Sequence, residues 1–158
     1  MIRSKLGTFQ GCRYYYKRMN LINNVPVSAL EDICKQIQEL DTSIRFAGIA
    51  NKFGNLRALS YRKNLIPLLA EKETSDYAMK AVLRAATRED YESKIGKLQY
   101  SIGKYEKMIR ATIPVMIDKK DDENKLYLLL SFDLDSDVTH TIQNKILPFI
   151  LKNKNAFT

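Results

Sequence analysis

Asp133, Asp135 and Asp137 alternate along the chain, and alternate aspartates can ligate a hard cation. A calcium loop of that kind also needs a turn-forming glycine and a bidentate acid further on. Here Val138-Thr139-His140 follows, so Asp135 or Asp137 is expected instead as the cap of a helix. His140 is the sole histidine, which excludes His-rich metal sites and two-histidine mechanisms, and it falls in the first turn of that helix as an exposed residue. Glu89, Asp90, Glu92 and Glu106 are spaced like a solvated face and a loop, and no Gly-rich phosphate loop is present. Cys34 lies on the apolar stripe of a helix with no histidine or cation placed beside it, so it reads as a small buried apolar residue. Cys12 is in a different segment, without metal-type spacing, and both thiols are expected to be free and reduced. No catalytic residue, metal ligand or cofactor site follows from these positions, and the chain is expected not to be an enzyme.

Binding chemistry has two sources. The formal net charge is +8, but residues 1–25 hold five bases and no acid, which leaves the other 133 residues at +3. Within that segment Arg13, Tyr14, Tyr15, Tyr16, Lys17 and Arg18 interleave cations with aromatic rings, the pattern of phosphate contact plus base stacking on nucleic acid. The competing reading is an irregular leader, with Met19 able to begin the domain. The second source is apolar surface, which depends on how the elements are built.

The length of 158 residues suits one domain, here 26–151, between the basic arm 1–25 and a loose tail 152–158. No window holds 18 consecutive apolar residues and no secretory signal opens the chain, so neither a membrane span nor export is indicated and a cytoplasmic location is expected. A first helix is predicted over 29–41, with Ser28 and Glu31 as a capping box and Leu30, Ile33, Cys34, Ile37 and Leu40 on one face. Two short apolar runs, 44–50 and 56–61, flank Asn51-Lys52-Phe53-Gly54-Asn55 and form a hairpin. A second helix is predicted over 75–92. Leu98, Tyr100 and Ile102, then Ile109, Ala111, Ile113, Val115 and Ile117, alternate as two one-sided strands, the second of which must meet an edge or bulge at Pro114. The run 126–130 is apolar on both faces and therefore central. The last helix is predicted over 137–150, kinked or ended near Pro148.

Two of these elements carry candidate sites. On the second helix Met79, Val82, Leu83 and Ala86 make one stripe, while Tyr77, Ala78, Ala81 and Ala85 widen it beyond what covering a sheet requires. Tyr77, Ala78, Ala81 and Ala85 are accordingly candidates for a homodimer contact, set against alanine as a plain helix former. The first strand carries Ala47, Gly48 and Ala50 where large β-branched residues are usual, so either a helix approaches closely or a space is left, lined by Phe46, Gly48 and Tyr127 and open to a small ligand.

With hairpin connections throughout, placing the doubly apolar fifth strand beside the first gives an α+β domain with a five-stranded antiparallel sheet ordered 2-1-5-4-3 and three main helices. That order resembles the roadblock, longin and profilin group and is similar to the sheet of PAS sensor domains, over about 27–151. Tyr105-Glu106-Lys107, Ile113-Pro114, Leu128-Leu129-Leu130-Ser131-Phe132-Asp133 and Lys145-Ile146-Leu147 also look like a group of small uncharacterised archaeal proteins that carry no assigned activity. Roadblock proteins are usually dimeric scaffolds or regulators of small GTPases that pair through the second helix and third strand, and PAS domains hold a ligand beneath the sheet. The resemblance therefore implies a dimeric scaffold or regulatory protein-interaction module, with a small-ligand sensor as the alternative.

Overall fold

The computed structural model describes residues 25–115 and 124–157; the nucleic-acid candidates Arg13 to Arg18 and Cys12 lie outside the described residues. Five strands form one antiparallel sheet in the order β2-β1-β5-β4-β3: β1 Ile44–Asn51, β2 Leu56–Tyr61, β3 Ser101–Lys104, β4 Ile109–Val115 and β5 Leu126–Phe132. The order follows from burial. On β5, Leu126, Leu128, Leu130 and Phe132 enter one apolar cluster while Tyr127 and Leu129 enter the other, so only an interior position satisfies both faces.

One face is covered by α1 (Val27–Glu39) and by the carboxyl-terminal helical segment, and the other by α2 (Glu71–Arg88). The predicted stripe of α1 is the buried one, through Leu30, Ile33, Cys34 and Ile37. Its start differs from the sequence reading. Pro26, with its φ preset at −58°, is the N-cap and its carbonyl accepts from Ala29 and Leu30, so Ser28 lies inside the first turn and no capping box forms. The β1–β2 turn is held by Asn51, whose Oδ1 accepts from the backbone N–H of Phe53 and Asn55, each at 3.0 Å.

The second helix begins before Thr74, because Glu73 reaches back to accept from the Ala70 N–H at 2.8 Å and starts it at Glu71. It ends at Arg88 and is followed by a 3₁₀ turn, Glu89–Tyr91, and a single α-turn, α3 (Glu92–Ile95). Strand β3 is shorter than the alternation from Leu98 suggests: the Leu98 N–H is taken by Glu92 Oε1 at 3.1 Å, and pairing with β4 starts only at Ser101. That short β3 leaves Pro114 past the last paired position, Ser101 with Thr112, where β4 is itself an edge. Strand β4 is not one-sided. All seven of its residues are buried, Arg110 and Thr112 included.

The last helical segment comprises α4 (Val138–Thr141), a π turn (Ile142–Ile146) and α5 (Leu147–Lys152). Asp137 is its cap, accepting from the His140 N–H at 3.0 Å. Pro148 neither ends the helix nor leaves it regular; the wider π turn before it absorbs the ring and the missing donor, and the helix runs on to Lys152. The tail is not loose. A 3₁₀ turn at Lys154–Ala156 carries Phe157 back into the core, where it is 1% exposed.

Candidate functional site

The helix α2 covers the sheet with its small side chains. Ala78, Ala81, Val82 and Ala85 are buried with Phe46, Ala50, Tyr127 and Leu129, whereas Met79 and Leu83 are 53% and 63% exposed. The wide apolar arc is therefore real, but the buried face is shifted from the predicted stripe toward the alanines, with Val82 common to both. Ala78, Ala81 and Ala85 face the chain's own sheet and are not available to a partner, because alanines let the helix axis approach the strands. Of the large residues in the predicted stripe Val82 faces the sheet, while Met79 and Leu83 point away from it. Of the four candidate contacts only Tyr77 remains partly open, at the margin of this cluster.

The turn of the β1–β2 hairpin sets the helix in place. A methyl group added at Gly54, whose φ is +80°, would meet the backbone of Met79, so the turn sits directly on α2 and Phe53 at its tip is exposed beside that helix. At the helix's far end Glu89 binds Lys125 through Oε2 and accepts from the Tyr127 hydroxyl through Oε1 at 3.2 Å. Tyr127 is thus a structural anchor of the helix terminus.

The space predicted over β1 is filled. A side chain at Gly48 would stand 2.6 Å from Phe46 Cζ and 3.2 Å from Leu56 Cδ2, so the Phe46 ring lies across the glycine and closes the gap. Phe46, Gly48 and Tyr127 share the α2 side of the sheet but line no opening between them. Close packing, the competing reading of Ala47, Gly48 and Ala50, holds here.

The three aspartates are apart in role. Asp133 Oδ2 accepts from Arg62 Nη1 at 2.6 Å and Oδ1 from Arg45 Nη1 at 3.1 Å, which joins β1, β2 and β5 at their ends and holds this carboxyl below its usual range, the Arg62 bond first. Asp137 is the helix cap, and among the described residues no group of three or more His, Cys, Asp or Glu is arranged to hold a metal. Cys34 is buried, and burial pushes its thiol up to about 12.

One feature of chemical interest gave no signal in the sequence. Across the sheet on the α2 side, cross-strand partners form a row: Tyr61 on β2, Phe46 on β1, Ser131 on β5 and Arg110 on β4. Arg110 is only 8% exposed, and its guanidinium carbon lies 3.5 Å from the centre of the Tyr77 ring and 6.0 Å from that of Phe46. Burial lowers its pKa. The ionisable groups acting on it are Tyr77, Tyr105, Tyr61 and Arg84, with no carboxylate among them. Alternation of apolar residues on β4 marked only the opposite face, so an arginine on the second face read as solvent-exposed.

No family model matches the chain, and none of the curated proteins does. Among solved structures it is similar to MglB of Myxococcus xanthus, at 12% identity and a TM-score of 0.55 over 83% of this chain and 85% of that one. It is similar to the gliding protein MglB of Thermus thermophilus, at 13% identity and a TM-score of 0.60 over 84% and 87%. A roadblock/LC7 domain from Streptomyces avermitilis aligns with a TM-score of 0.53 at 8% identity over 77% and 98%. The fold is thus of the roadblock type, α+β with the sheet order 2-1-5-4-3, and at these identities the likeness is one of fold alone.

Proposed function

We propose that the chain is a non-enzymatic protein-interaction module, a scaffold or regulatory domain that works as a homodimer paired through the outward side of α2. One observation carries the reading: α2 spends its alanines on the sheet and turns Met79 and Leu83 to solvent. A helix that only covers a sheet has the opposite polarity, with large apolar residues inward and polar residues outward. Exposed apolar residues at i and i+4, on a helix against which the β1–β2 turn is seated at Gly54, form a surface suited to a second apolar surface. A second copy is the occupant that requires no further component, since a two-fold pairing sets the same patch against itself.

The structures of similar fold include one described as MglB with a tetrameric arrangement, at 13% identity and a TM-score of 0.55 over 97% of this chain and 99% of that one; self-association through this fold therefore has precedent. Sedimentation of the wild type and of Leu83→Glu tests the proposal, because the glutamate introduces two carboxylates into an isologous contact while leaving the buried alanines untouched.

A further inference from the structure

Arg110 carries a charge into the interior without the partner that such a charge ordinarily has. Its Nε is buried and finds no hydrogen-bond acceptor, and no carboxylate pairs with it among the described residues. The Tyr77 ring covers the face of the guanidinium, which leaves the in-plane N–H donors as the unused part of the group. Arg110 lines a cavity of about 30 Å³ together with Phe46, Tyr61, Leu65, Leu69 and Met108, and Thr74 and Ser131 are also on its wall. Pro67 and Leu68, both exposed, form its outer rim. Arg45 reaches the same cavity, but its Nη1 is already engaged by Asp133.

We propose that this cavity binds a small carboxylic acid, with the carboxylate held in the plane of the Arg110 guanidinium and the apolar body lying toward Leu65, Leu69 and Met108. The planar fork matches two carboxylate oxygens. A water needs about 10–15 Å³, so the enclosed part takes the two carboxylate oxygens, and the aliphatic body extends along the apolar wall toward the exposed rim at Pro67 and Leu68. Away from the two arginines, Thr74 and Ser131, the lining is carried by apolar and aromatic side chains, which favours an acid with a short aliphatic body over a free inorganic anion. The site is distinct from the outward side of α2 and does not depend on dimer formation.

The Arg110 Nε–Hε resonance in the full-length chain reports on the site directly. Isobutyrate, acetate, chloride and inorganic phosphate are titrated in parallel at constant ionic strength, with the thermal midpoint measured alongside. Isobutyrate should shift that resonance saturably and raise the midpoint, acetate should act more weakly, and chloride and phosphate should leave both unchanged. Arg110→Met, which removes the unpaired charge at similar volume, should fold and lose the response to isobutyrate. The proposal is overturned by an Arg110 resonance that isobutyrate does not move, by an equal response to chloride or phosphate, or by unchanged binding in Arg110→Met. Should that variant fail to fold, the wild-type titration decides alone.

Discussion

The Gly54 position and the backbone of Met79 are in direct contact: there is no room for a single methyl group between the β1–β2 turn and α2. This contact fixes how the helix lies on the sheet, and with it the outward direction of the Met79 and Leu83 side chains. A glycine is required twice over, by its φ of +80° and by the approach. Gly54→Ala should therefore destabilise the fold by at least ~2 kcal/mol, from the left-handed backbone plus the displaced helix. Denaturant unfolding measures it, and a change within error of zero would mean that the turn does not seat the helix.

Phe157 is expected to behave as a core residue although it lies one position from the end of the sequence. Phe157→Ala should cost about 3–5 kcal/mol, and removal of residues 153–158 should cost at least as much. Equal stability of the truncated and full chains would contradict the packing of this ring among the buried residues around α1 and the last helix.

The Asp133 carboxylate gives an acid-side dependence. Its folded pKa lies below the ordinary value, through its bonds to Arg62 and Arg45, so its stabilisation is complete above the unfolded pKa near ~3.9 and is lost as pH falls through the folded value. Asp41 acts in the same sense, lowered to about 2 chiefly by the Lys145 hydrogen bond. Asp133→Asn should lower stability by about 1–2 kcal/mol at neutral pH and much less in strong acid. A difference from the wild type that stays constant down to low pH would show that the ion pairs do not supply it.

Burial and a thiol pKa near 12 make Cys34 unreactive in the folded state. In a Cys12→Ser background, alkylation of Cys34 at neutral pH should proceed only at the rate of unfolding and accelerate in denaturant. Prompt modification of the native protein would place the thiol at an accessible position.

The sheet was legible in the sequence because its strongest cue is compositional. Five consecutive apolar residues at 126–130 demand cover on both faces, and hairpin-length connections then leave few orders for the other strands. The helix faces were less legible. Periodicity gives the width of an apolar arc but not which half meets the sheet, and on α2 the choice fell to alanine, whose small volume permits the approach. Glu73 capping Ala70 and the π turn ahead of Pro148 depend on side-chain reach and backbone adjustment that no local pattern signals. Arg110 was hidden because a charged residue between apolar ones on a strand ordinarily marks the solvent face, and only the position of Tyr77 on α2 encloses it.

The central claim is that the outward side of α2 joins two copies of the chain, and sedimentation equilibrium across a concentration series tests it most directly. The wild type should run as a dimer at micromolar concentration. Leu83→Glu should run as a folded monomer with an unchanged circular dichroism spectrum, and Met79→Glu should shift in the same direction. A wild type that remains monomeric throughout the series, or a Leu83→Glu variant that dimerises as tightly as the wild type, would contradict the account.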